Sequence, residues 1–104
     1  MRLRSPGLIA LTGLFLGGCV TPSNPAFPSA EIAAQKTGVD RALLARGRTI
    51  YATRCTECHV ARPVRKFSAS EWPQLVARMA PRAKLNSEDR LAVESYLVAA
   101  SSTQ

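Results

Sequence analysis

The sequence predicts a small all-α domain of three main helices, set behind an exported leader and a proline-rich tether. Three observations carry this. Apolar residues between positions 39 and 100 recur at spacings of three and four, the period of a helix with one buried face. Each stripe follows a residue suited to capping a helix N-terminus: Asp40, Ser70 and Asn86. No segment reads as a strand.

The leader comes first. Met1-Arg2-Leu3-Arg4 is a short positive segment, and Leu8 to Gly18 is an apolar run broken only by Thr12. A membrane-spanning helix needs about 20 apolar residues, so this run is too short to span and has the size of a signal-peptide core. It ends in Leu16-Gly17-Gly18-Cys19, which resembles the bacterial lipobox. The resemblance implies cleavage that removes residues 1–18, a diacylglyceryl thioether on Cys19 and an acylated new amino terminus. Two or more acyl chains anchor stably where one binds only marginally. Val20, rather than Asp, follows Cys19, and by the same resemblance the location leans towards the outer membrane.

Residues 19–38 read as the lipidated N-terminus and a flexible tether. Pro22, Pro25 and Pro28 stand among Ser, Asn and Ala, a composition that stays extended. Ile32 to Lys36 could supply one helical turn, with nothing to anchor it.

The domain proper is assigned to residues 39–104. Asp40 opens its first helix, with Leu43, Gly47, Ile50, Tyr51 and Arg54 at helical spacing. Val60 to Ala69 is a loop containing Pro63. Ser70 caps the second helix, and Glu71 and Pro73 fall in its first turn, where proline is tolerated. Trp72, Leu75, Val76 and Met79 form its stripe, and Ala80-Pro81 ends it. Asn86 caps the third helix, with Ser87, Glu88 and Asp89 placing negative charge in the first turn. Leu91, Val93, Tyr96, Leu97 and Ala100 are its inner residues. A chain of roughly sixty folded residues builds a marginal core and often needs a metal or cofactor.

One motif supplies a cofactor. Cys55-Thr56-Glu57-Cys58-His59 is the attachment signature of a c-type haem. Two thiols two residues apart add to the two vinyl groups on one porphyrin edge. The adjacent imidazole is the usual proximal ligand of haem iron. Cys55 and Cys58 are therefore the covalent attachment residues, and His59, the only histidine, is an iron ligand. Two other readings use the same residues. A redox dithiol normally follows a strand and opens a helix in a βαβ pattern. A zinc site asks for about four ligands, usually as two pairs, and no second pair is present. The haem reading also resolves an odd cysteine count: two thiols for haem, and Cys19 for lipid.

The order of parts resembles a small monohaem cytochrome c of the His/Met type, over the whole of the folded region. The matching residues are Gly47, Tyr51 and Cys55 at spacings of four, the Tyr96-Leu97 pair on the last helix, and Met79-Ala80-Pro81 shortly before it. The segment Glu71 to Met79 resembles bacterial cytochrome c domains that place a Trp-containing helix before the methionine. The resemblance implies three helices around one covalent haem, with the first and last crossing closely at Gly47. It also implies that Met79, the only methionine remaining after leader removal, is the second axial ligand. By residue chemistry alone Met79 could equally be core, since it completes an apolar stripe. Trp72 could be core or could donate its indole N–H to a haem propionate. Tyr51 and Tyr96 read as packing residues. Two departures stand out. The Gly-Pro that usually follows the haem histidine is represented only by Pro63, and the Cys58-to-Met79 stretch is short. Both imply a trimmed pocket with one exposed edge.

The chain carries a formal charge of +7. Arg54, Arg62, Arg65, Lys66, Arg78, Arg82 and Lys84 flank the haem motif and Met79, against Glu57 and Glu71 only. Such a rim suits an acidic redox partner protein. Nucleic acid is an unsuitable partner for an exported lipoprotein, whatever its charge. The expected function is electron transfer by a periplasm-facing, membrane-tethered carrier with no enzymatic activity of its own. The competing function is a five-coordinate haem protein that binds or senses a small ligand, which follows if Met79 is core.

Overall fold

Asp40 and Asn86 cap helices as their side chains suggest. The Asp40 carboxylate accepts from the Leu43 amide at 3.0 Å and the Asn86 carbonyl from the Asp89 amide at 2.8 Å. The computed structural model describes residues 26–56 and 61–103, with Gly7 and Gly13. The rest of the leader, Cys19, Glu57, Cys58 and His59 lie outside the described residues. Among the described residues there are four α-helices and no strand: α1 (Ala30–Thr37), α2 (Arg41–Thr53), α3 (Trp72–Arg82) and α4 (Ser87–Ser101), with a 3-10 turn at Val64–Lys66. None of these helices is long and apolar enough to cross a membrane.

The core forms where α2 crosses α4. Leu44, Tyr96, Leu97 and Ala92 are fully buried there. Gly47 makes the approach possible: a Cβ at that position would stand 2.0 Å from the Ala92 carbonyl oxygen and 2.7 Å from the Tyr96 Cβ. Any side chain would force the helices apart. One turn on, Tyr51 is also buried.

The segment expected to be a tether is part of the fold from residue 26 onwards. Three successive carbonyls of this strap are each held by a different element. Ala26 O accepts from the Val64 amide at 3.0 Å, Phe27 O from Arg48 at 3.3 Å, and Pro28 O from the Tyr96 hydroxyl at 2.8 Å. Ser29 then caps α1, whose Ala33 is fully buried and which packs on both α2 and α4. Gly38 ends α1 in the left-handed conformation at φ 74°, its amide bonded to Ala34 O. Polar contacts tie α1 further: Arg41 pairs with Glu31 at 3.0 Å, and Lys36 reaches the Thr103 carbonyl at 3.4 Å. A small alanine face can sit close to two helices without any large apolar residue, so the composition of the strap concealed its packing. The domain has four helices where three main ones were expected.

The second expected helix also shifts. Its N-terminal signal lies at Ser68, not Ser70. The Glu71 carboxylate accepts from both the amide and the hydroxyl of Ser68, at 2.8 and 2.9 Å, and Trp72 opens the helix. Those two bonds hold the Glu71 carboxyl below its ordinary range. At the other end α3 runs through Pro81 to Arg82. The chain then closes a Schellman turn: Leu85 N–H bonds Ala80 O at 3.0 Å, Lys84 N–H bonds Pro81 O at 3.2 Å, and Lys84 is left-handed at φ 54°.

Candidate functional site

Helices α2 and α3 both belong to the domain core, yet their backbones stay apart: α3 packs on α4, as α2 does, and not on α2. The space between them is a pocket of about 90 Å³, partly open to solvent, lined by Tyr51, Cys55, Ala61, Arg62, Phe67, Trp72, Leu75 and Met79. Its lining is mostly apolar, as in small-molecule and cofactor sites generally.

Each wall has a local cause. Cys55 follows the last turn of α2, its amide bonded to Ile50 O at 3.4 Å. Burial pushes the Cys55 thiol above its ordinary pKa, against the smaller opposing pull of the Arg54 charge. Leu75 and Met79 stand one helical turn apart on α3 and present one stripe to the pocket. Trp72 and Val76 are almost fully buried behind them.

The loop that closes the pocket is fixed by two aromatic side chains. The Tyr51 hydroxyl donates to Arg62 O, and the Trp72 indole N–H donates to Val64 O at 3.0 Å. Trp72 is 1% exposed, so its single N–H donor is committed to the loop. A chain of edge-on rings continues the wall: Phe27 to Tyr51 at 5.5 Å, Tyr51 to Trp72 at 5.9 Å, and Trp72 to Phe67 at 5.2 Å between centroids. Burial raises Tyr51 to about 12, with smaller contributions from the Cys55 and Tyr96 charges. Burial likewise raises Tyr96 to about 12, against an opposing pull from Arg48.

Of the residues singled out in the sequence, Cys55 and Met79 come together on this pocket. Cys58 and His59 fall in 57–60, outside the described residues; Ala61, which follows that segment, and Cys55, two residues before it, line the pocket. Cys19 is likewise outside. Met79 is half-buried and lies within α3, as its place in the helix's apolar stripe predicts.

Three contributions escaped sequence reasoning. Phe67 is an isolated aromatic in a loop of Arg, Lys and Ser, and that isolation was the available signal. Ala61 had none. Arg54, grouped by sequence with a solvated cationic rim, instead turns inward and donates to Ala83 O at 2.8 Å and Lys84 O at 3.1 Å. Arg62, Arg65, Lys66, Arg78 and Arg82 remain exposed and form no ion pair with another described residue.

The described donors are of the kind a c-type haem site uses. A thiol and a thioether line one apolar, partly open pocket whose walls carry no acid–base pair. Neither a family model, nor a curated protein, nor a solved structure matches the chain.

Proposed function

We propose that the pocket holds one covalently attached haem c and that the protein is a membrane-tethered electron carrier facing the periplasm. The observation that carries this reading is the meeting of Cys55 and Met79 on one apolar pocket, with the Cys-x-x-Cys-His motif beginning on its wall. Cys55 and Cys58 would hold the porphyrin through thioether bonds, and His59 and Met79 would be the axial ligands of its iron. When bound, the haem supplies one-electron exchange between ferric and ferrous iron.

The chain's own residues do the rest. Trp72, Leu75 and Phe67 exclude water from the pocket. Tyr51 and Trp72 hold the loop 61–66 in place through its carbonyls. Met79 as a ligand raises the reduction potential relative to histidine-only ligation. Arg62, at the pocket wall and exposed, is placed to meet a propionate carboxylate or an acidic protein surface. Arg65, Lys66, Arg78 and Arg82 are likewise exposed, and their positive charge would steer an acidic redox partner. A lipid-modified Cys19 confines the domain to one membrane of a bacterial envelope.

Two experiments test these assignments. Protein made in a host with an active cytochrome c maturation system should keep its haem through organic extraction, and Cys55→Ala with Cys58→Ala should abolish the coloured product. Colourless wild-type protein from that host would remove the haem reading and favour zinc. Mass spectrometry of the N-terminal peptide should show acyl chains on Cys19, and Cys19→Ser should release a soluble or unprocessed form. An unmodified N-terminus at another residue refutes the anchor while leaving the haem assignment standing.

A further inference from the structure

We propose that Arg54 is a positioning residue that sets the place of the Met79 thioether relative to the haem attachment turn. The inference rests on the haem reading above and adds to it the element that holds the two halves of the pocket together.

The geometry isolates Arg54 in this role. The α2 and α3 backbones make no direct packing contact, and the pocket lies between them. Arg54 directly precedes Cys55, and its own amide is bonded to Ile50 O at 2.8 Å, so its backbone is fixed to α2. Its guanidinium crosses to the far end of α3 and donates to Ala83 O at 2.8 Å and Lys84 O at 3.1 Å. Both are carbonyls of the α3 C-terminal turn, where a cation also complements the helix dipole. Ala83 is in turn bonded through its amide to Met79 O at 2.9 Å. A continuous path of hydrogen bonds thus runs from the Cys55 turn to the backbone of Met79. The Tyr51–Trp72 ring contact joins the same helices, but at the N-terminal end of α3. Without Arg54 the Met79 end of α3 keeps its packing on α4 and loses its tie to the attachment turn.

A thioether is a weak, neutral donor, and its bond to iron depends on being held in place by the fold. Loosening one end of α3 by a fraction of an ångström therefore acts on ligation before it acts on folding. Both Arg54 bonds leave a single terminal nitrogen, Nη2, whose two N–H groups address the two carbonyls.

The test uses haem-loaded, full-length protein with Arg54→Ala, Arg54→Lys and Arg54→Gln. Arg54→Ala should lose most of the weak near-infrared sulfur-to-iron band at neutral pH. Its reduction potential should fall and its ferrous form should bind carbon monoxide several-fold faster, at unchanged helix content by circular dichroism. Arg54→Lys, which keeps the charge, should retain much of the band, and Arg54→Gln should resemble Arg54→Ala. The proposal is overturned if Arg54→Ala lowers only the denaturation midpoint and leaves band, potential and carbon monoxide rate at wild-type values. Arg54 is then a helix cap and nothing more. If Arg54→Ala yields no holoprotein, the Lys and Gln variants decide on the same readouts. A wild-type holoprotein with no sulfur band breaks the Met79 assignment instead. Peroxide oxidation of Met79, followed by mass spectrometry, then decides for Arg54 separately. Oxidation several-fold faster in Arg54→Ala supports the positioning role, and equal rates refute it.

Discussion

The α2/α4 crossing and the α2/α3 gap are built from the same helix in two different ways. At Gly47, α2 meets α4 with no room for a methyl group. Two turns later the chain stays apart from α3 and leaves a pocket of about 90 Å³ between half-buried Cys55, Leu75 and Met79. The first region is closed by close packing, with an Arg46–Asp89 ion pair at 2.7 Å joining the two helices at its margin. The second is held by hydrogen bonds at its margins: Tyr51 to Arg62 O, Trp72 to Val64 O, and Arg54 to Ala83 O and Lys84 O. Packing makes the crossing rigid to substitution. Polar margins hold the gap open between two helices that do not pack on each other.

Breaking the crossing should have the largest effect. Gly47→Ala puts a methyl against a backbone oxygen that cannot move alone, so it should cost about 3 kcal/mol or more, at the top of the range for overpacking. Urea denaturation checks this, and a cost near zero would mean the helices separate freely.

High pH probes both regions together. Tyr51 and Tyr96 have folded values raised to about 12, so the stability they confer is complete below about pH 10 and is lost as pH rises through 12. Each should contribute on the order of 2 kcal/mol to that loss. Tyrosinate absorbance should therefore rise together with unfolding, and ionisation near pH 10 in folded protein would contradict the burial.

Removing single hydroxyls separates the regions. Tyr96→Phe leaves Pro28 O without its donor and Tyr51→Phe does the same to Arg62 O, each costing about 1–2 kcal/mol. Hydrogen exchange should show Tyr96→Phe loosening the strap and α1, and Tyr51→Phe loosening the pocket loop. The same pattern in both variants would mean that strap and pocket open as one unit.

The smallest effect should be a gain. Lys84 adopts a left-handed conformation that glycine takes without strain, so Lys84→Gly should stabilise by roughly 1 kcal/mol. A loss would show that the Lys84 side chain makes a compensating contact.

The contrast also explains what the sequence could disclose. The two helices of the crossing are local and periodic, with Asp40, Gly47 and Tyr51 on one and Asn86, Tyr96 and Leu97 on the other, and each was readable by itself; their meeting at Gly47 was an implication of the resemblance alone. The strap was misread because its hold comes from residues far along the chain. Arg48, Val64 and Tyr96 grip three carbonyls, and carbonyls carry no sequence identity. The end of α3 was placed too early because Pro81 removes one amide without stopping the turn, which Ala83, Lys84 and Leu85 complete. Arg54 shows the same limit at the site: composition put it on a charged surface, and only the fold turns it towards α3.

The absorption spectrum of the ferric, haem-loaded protein tests the central assignment most directly. A low-spin spectrum with the weak near-infrared sulfur-to-iron band, lost in Met79→Ala with a fall in reduction potential, is the result expected of a His59/Met79 electron carrier. A high-spin spectrum, rapid carbon monoxide binding by the ferrous form, and a Met79→Ala variant that loses about 2–5 kcal/mol of stability with no spectral change would contradict it and make the protein a small-ligand binder.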